Sequence, residues 1–178
     1  MEINLEAIFG SKNYVALRPG GFATNLLRSK HGLLNGEIPM YCPGSKFDHI
    51  TPVDMGSVGG KILASGQQKD GEKTVVLFGP EMTAQGEALK IIASKLGKDV
   101  SIKSITAQEQ IDIYKMIGLP PPLAEYLAKG TGENDKENFA QKDPDRYNLG
   151  VANIQKYLGR PATSFEAWVD SNKQLFSA

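Results

Sequence analysis

The chain holds a single cysteine, Cys42, among 178 residues, so no internal disulfide can form and a reducing, cytoplasmic setting is expected. Neither sign of charge is in excess, with 20 basic residues against 20 acidic ones. That balance gives no electrostatic case for nucleic acid or an anionic membrane as partner. No apolar run approaches the roughly 18–20 residues of a membrane span. The opening Met-Glu-Ile-Asn-Leu-Glu is acidic and helical, unlike a secretory signal. Histidine is almost missing: His31 and His49 are the only two, and neither stands at ligand spacing from a cysteine or carboxylate, so no metal is expected. What remains is one soluble α/β domain over 1–178.

The apolar pattern supplies the elements. Ile3, Leu5 and Ile8 predict a short helix over 2–9, stopped at Gly10. Tyr14-Val-Ala-Leu17 and Thr74-Val-Val-Leu-Phe78 are continuously apolar and read as strands buried on both faces. Shorter strands are expected at 49–53 and 100–105, with loop over 35–47 and a solvated turn over 67–73. Met55, Val58, Ile62 and Leu63 predict one helix stripe, with Asp54 as its cap. Ala88, Leu89, Ile92 and Leu96 predict a second, capped by Thr83. Thr106 to Glu109 and Thr163 to Glu166 read as capping boxes. Leu123, Tyr126 and Leu127 follow a proline-led helix start, and the charged stretch 130–146 is expected to be a mobile surface loop.

The chemical motifs are thin. Gly56-Ser-Val-Gly59-Gly60-Lys61 lacks the early glycine of a phosphate loop, and Ile62 replaces the hydroxyl residue that meets magnesium. Gly130-Thr-Gly132 follows no strand, as a dinucleotide loop must. His49 at a strand start reads as a hydrogen-bonded structural residue, Cys42 as an ordinary thiol, and Glu81 as a lone carboxylate that could face a cleft. No Tyr-x-x-x-Lys pair occurs. No catalytic residue can be named from the sequence.

Three segments then fall in order: Leu17-Arg-Pro-Gly-Gly-Phe22-Ala-Thr-Asn25, Ile50-Thr-Pro-Val-Asp54-Met-Gly-Ser-Val58, and Val76-Leu-Phe-Gly79-Pro80-Glu81-Met-Thr83. With the turn at Leu96-Gly97 and the stretch Gly159-Arg160-Pro161 to Glu166, they resemble the NmrA-like branch of the atypical short-chain dehydrogenase/reductases. The resemblance covers nearly the whole chain and matches the C-terminal, substrate-side portion of that family, without its glycine-rich nucleotide-binding half. It implies a partial Rossmann-type sheet, formed by the last strands, with a mostly helical substrate-binding lobe. It implies NAD(P) as cofactor, with Pro19, Gly20 and Phe22 bordering its nicotinamide end. Phe22, Asn25, Leu26, Tyr114 and Tyr126 would line a substrate cleft.

The expected activity on that basis is hydride transfer to a carbonyl or activated double bond, with this chain contributing the pocket for a small-molecule substrate. Two alternatives stand beside it. One is a non-catalytic regulator or protein-binding module; the other is a cofactor-independent isomerase or cyclase using the same pocket. Apolar strands without their usual neighbours predict self-association, or a protein partner that covers the exposed sheet.

Overall fold

The computed structural model describes residues 2–10, 13–65 and 73–177. In chain order the elements are α1 (Glu2–Phe9), β1 (Ala16–Pro19), a 3-10 helix (Ala23–Ser29), α2 (Lys30–Asn35), β2 (Glu37–Met40), β3 (Lys46–Phe47) and α3 (Pro52–Ser65). There follow β4 (Thr74–Leu77), β5 (Thr83–Ala84), α4 (Gln85–Lys95), β6 (Ser101–Ser104), α5 (Ala107–Met116) and α6 (Pro121–Lys136). The chain closes with α7 (Phe139–Lys142), α8 (Pro144–Leu158), α9 (Phe165–Ser171) and a 3-10 turn (Lys173–Leu175). The architecture is α/β: β1 pairs with β4 and β2 with β6 in parallel, while β3 and β5 form a short antiparallel ladder.

Two apolar clusters divide the molecule. In the first, β1 and β4 run side by side with Leu17 opposite Val75, and Val75 and Leu77 pack with Ile50, Val58, Ile154 and Tyr157. Helices α3 and α8 cover this pair. Gly150 on α8 is required there, because a Cβ would run into the Phe78 ring. Asn153 on the same helix donates to the Val76 carbonyl at 2.9 Å, so a buried amide finds its partner on the strand.

The second cluster joins β2, β6, α4 and α9 through Leu33, Ile38, Leu89, Ile92, Phe165, Trp168 and Phe176. Trp168 meets Phe176 edge-on at 6.0 Å, an arrangement that suits opposed ring quadrupoles. Asp54 binds this region to the first. Its buried carboxylate accepts from Arg160 at 2.7 Å, from the Thr163 amide at 2.7 Å and from the Thr163 hydroxyl at 3.0 Å. The start of α3 is thereby fastened to the connection between α8 and α9.

Several expectations change. Asp54 does not cap α3, because its carboxylate is committed to Arg160 and Thr163; the Thr51 hydroxyl takes the Asp54 amide at 3.2 Å instead. The strand expected at 49–53 shrinks to one bridge, Phe22 to Ile50, because Pro52 already opens α3. The loop expected over 35–47 contains β2, whose alternation turns Ile38 and Met40 inward and leaves Pro39 outside. Thr83 is not a cap, since it pairs with Phe47 in β5. The first amides of α4 are satisfied by backbone carbonyls, Gln85 by Ser45 and Gly86 by Pro43, each at 2.9 Å.

Thr163 is likewise diverted to Asp54, and Ser164 caps α9. The capping box at Thr106 and Glu109 is present with both of its bonds. The stretch 130–146 is mostly helical rather than loop. Helix α6 extends to Lys136 with Ala124, Ala128 and Thr131 buried, and Gly132 lets it pass against the Tyr41 ring. Asn138 then caps α7, and Asp143 caps α8 ahead of Pro144. Leu63 is 84% exposed and Leu123 also points outward, so neither joins a buried stripe. Strand β1 lies at 16–19 rather than 14–17. Apart from Lys73, the turn expected over 67–73 lies outside the described residues.

Candidate functional site

The carboxyl ends of the two parallel strands β1 and β4 meet at Asp48. The Gly20 amide extends the ladder by donating to the Leu77 carbonyl at 3.0 Å. The buried Asp48 carboxylate then accepts from the Gly21 amide at 2.7 Å and from the Gly79 amide at 2.8 Å. Glycine is needed at both exits: a Cβ on Gly20 would overlap the carboxylate, and one on Gly79 would overlap the Asp48 backbone. Burial pushes the Asp48 carboxyl above its usual range, while the Gly79 and Gly21 amides pull it down.

His49 follows with φ at 43°, in the left-handed region where histidine is uncommon but tolerated. Its ring lies 4.9 Å from Phe165 and 6.4 Å from Phe47, centroid to centroid. Burial lowers its pKa to about 4, opposed by a bond to the Thr83 backbone. The imidazole is therefore neutral at physiological pH. The structural role expected for it is incomplete, because Nε2 is buried with no hydrogen-bond partner.

Three hollows open around this point. The strand-end hollow, about 260 Å³, is bordered by Arg18, Pro19, Gly20, Phe78, Phe139 and Arg146. Beside it a central hollow of about 250 Å³ is lined by Phe22, Asn25, Leu26, His49, Tyr114 and Tyr126. Gly21, Phe47 and Asn134 line both. A third of about 350 Å³ continues from the central one, sharing Arg28, Gln85 and Tyr114 with it and reaching Ile38 and Gln110. The three share lining residues and lie in series from the strand ends to residues of α5 and α6.

The sequence-expected residues fall into two of these compartments. Pro19 and Gly20 border the strand-end hollow. Phe22, grouped with them by sequence, lies instead in the central hollow with Asn25, Leu26, Tyr114 and Tyr126. Leu26 is buried, whereas Tyr126 is 72% exposed and lies at the rim. Glu81 is exposed and borders none of these three hollows. Burial raises the Tyr114 hydroxyl, and Arg28 opposes that.

Sequence reasoning missed Asp48, Phe47, Arg28 and Arg146. For Asp48 a signal existed: a carboxylate enclosed in Phe47-Asp48-His49-Ile50 implies a buried charge with dedicated donors. It also missed Tyr147, whose hydroxyl donates to the Gly79 carbonyl at 3.1 Å. Burial, then the charges of Asp48 and Glu81, push that hydroxyl up to about 12, so it holds its proton.

The residues present fit one end of a dinucleotide. The strand-end hollow has backbone glycine on one wall, aromatic rings on another, and Arg18, Lys46 and Arg146 around it. Nicotinamide amide and ribose groups suit such a lining. The Cβ space at Gly20 is taken up by Asp48 itself, so no closer backbone approach is offered there. Among the described residues, no group of three or more His, Cys, Asp or Glu is placed to hold a metal ion. Among those residues, no helix is long and apolar enough to cross a membrane.

No protein-family model matches the chain. It is 30% identical over 182 residues to the nitrogen metabolite regulation-like protein of Gibberella fujikuroi, a match covering 95% of this chain and 54% of that protein. It is 27% identical over 165 residues to festuclavine synthase I of Penicillium roqueforti, covering 90% of this chain and 54% of the relative. The chain thus spans about half the length of the curated relatives it matches. Among solved structures, the NADPH-dependent quinone oxidoreductase of Escherichia coli in complex with NADPH aligns with a TM-score of 0.64 and 21% identity. That alignment covers 86% of this chain and 51% of the oxidoreductase. The fold is α/β and matches about half of that Rossmann-type chain. Over about half of their length, the chain is similar to NmrA-like proteins.

Proposed function

We propose that this chain is the C-terminal, substrate-side portion of an NmrA-like oxidoreductase that transfers hydride to a carbonyl or activated double bond in a cytoplasmic setting. One observation carries the reading. The strand-end hollow and the aromatic central hollow lie side by side, with Gly21, Phe47 and Asn134 in both walls, at the carboxyl ends of two parallel strands, where open α/β sheets bind their ligands. NAD(P)H, when bound, supplies the hydride. Pro19 and Gly20 border its nicotinamide end, with Phe22 at the junction to the substrate. Phe22, Asn25, Leu26, Tyr114 and Tyr126 hold the substrate, and the apolar lining excludes water from it. Asp48 positions both strand exits through the Gly21 and Gly79 amides and itself borders the strand-end hollow.

Thermal unfolding with added nucleotide tests this. NADPH and nicotinamide mononucleotide should both raise Tm, by the equivalent of about 1.4 kcal/mol at ten times Kd. Adenosine diphosphate alone should do nothing. Absence of any shift with NADPH and with the mononucleotide would overturn the proposal. A second reading, a regulator that binds protein, is favoured by the name of the Gibberella relative and by exposed apolar side chains on α1 and α3.

A further inference from the structure

Asn25, Arg28, Gln85 and Tyr114 line both the central and the third hollow and so stand at the boundary between them. They come from three elements. Asn25 and Arg28 lie three apart on the 3-10 helix, a spacing that stacks them on one face; Gln85 opens α4, and Tyr114 lies on α5. None of the four is buried, and Asn25 and Arg28 are exposed, so water or a ligand in its place reaches them. Among the described residues, none of these side chains makes a hydrogen bond or an ion pair. Charge at the boundary has one sign. Of the described residues lining the central hollow, Arg28 alone carries a formal charge, since His49 is neutral. Glu37 lines the third hollow and forms no ion pair with Arg28. On either side the walls turn apolar, with Phe22 and Phe47 in one hollow and Ile38, Ile113 and Ile117 in the other. A guanidinium between low-dielectric walls, with no carboxylate of its own, draws an anion to that place.

We propose that this boundary is a carboxylate subsite, in which Arg28 pairs with the acid group of an apolar carboxylic acid whose body lies in the central hollow, and Asn25, Gln85 and Tyr114 supply further donors. This rests on reading that hollow as the substrate cleft and names the class of substrate it takes. It also sets the substrate's direction. The acid group lies at the Arg28 end, and the reducible carbonyl or double bond lies towards Gly21 and Phe47, which also line the strand-end hollow. A carboxylate offers two oxygens with about four lone-pair sites, enough for a planar guanidinium fork and the neighbouring donors together. An amide of the same shape carries no charge and offers a single acceptor oxygen.

Two probes of matched shape, 4-acetylbenzoate and 4-acetylbenzamide, test it by titration calorimetry at low salt. The wild-type chain should bind the benzoate about tenfold more tightly, as a hydrogen-bonded charge pair implies. Arg28→Gln should bind both equally; the position is exposed, so the variant should fold, and circular dichroism checks that. Arg28→Lys keeps the charge without the planar fork and should retain part of the preference. A readout independent of any variant is the Arg28 Nε–H resonance, which should shift on saturation with the benzoate and stay in place with the amide. Equal binding of both probes to wild type, or a preference that survives in Arg28→Gln, overturns the carboxylate subsite and leaves the cleft standing. Failure of wild type to bind either probe overturns the cleft reading and this subsite with it.

Discussion

The two apolar clusters are built from similar residue types and finished differently. The cluster around β2, β6, α4 and α9 is closed: Phe165, Trp168 and Phe176 pack within it and are almost wholly buried. The cluster around β1 and β4 is covered by α3 and α8, yet each of these strands pairs only with the other among the described residues. Nearby helices present large apolar side chains to the outside, including Ile3 at 83% exposed, Ile8 and Phe9 on α1, and Val53 and Leu63 on α3. A closed cluster sets stability. An open one leaves surface available for more protein, and the cleft lies where the two meet.

The largest expected effect is on the closed side. Trp168→Ala should lower stability by about 4 kcal/mol, as burial loss and an unfilled cavity add together. Urea unfolding measures it, and a loss under about 1 kcal/mol would mean that this cluster is not the stabilising one.

Next comes acidity at the junction. Folded His49 titrates at about 4 against 6.5 for the ordinary group. The unfolded chain therefore takes up the proton first. The contribution of neutral His49 is complete above pH 6.5 and is lost as pH falls towards 4, by about 3 kcal/mol in total. Asp48 works in the opposite direction, because its raised carboxyl is protonated earlier in the folded chain than in the unfolded one. Comparing the pH slopes of wild type and His49→Asn isolates the histidine term; equal slopes would count against its burial.

Asp48→Asn should cost about 2 kcal/mol. The amide keeps one oxygen for two N–H groups, one buried and one part-buried, so either Gly21 or Gly79 loses its partner. The accompanying sign is selective broadening of Gly20 to Phe22 in amide spectra, with the α4 and α9 signals unchanged.

The smallest effect on stability belongs to the open side. Changing Ile8 and Leu63 to Glu should alter unfolding by less than about 0.5 kcal/mol each, as exposed sites do. Self-association in size-exclusion chromatography should nevertheless fall. A wild-type chain that is already monomeric would remove this half of the comparison.

Local chemistry made much of the fold legible. The continuous run at Thr74 to Leu77, the stripe Ala88-Leu89-Ile92 and the capping box at Thr106 are each specified within a few residues. The failures came where long-range partners decide. Asp54 and Thr163 have ordinary cap identities, but each satisfies the other across more than a hundred positions. The start of helix α6 was legible from its prolines, but its extension past residue 130 was hidden, because its buried face is made of alanine and threonine, which carry little hydropathy signal. At the cleft, the Arg18-Pro19-Gly20-Gly21 turn was visible from composition. The Asp48 clamp that gives those glycines their purpose was not, since Gly21 and Gly79 come together only in the folded sheet.

The most direct measurement is a residue-by-residue amide shift map of the chain with and without NADPH. If the strand ends hold the nicotinamide end of the cofactor, changes should concentrate at Gly20, Gly21 and Phe22 and at Phe47 to His49, leaving Ser101 to Ser104 of β6 still. A map with no change at the strand ends under saturating NADPH, or with changes confined to the β2–β6 side, would contradict that assignment.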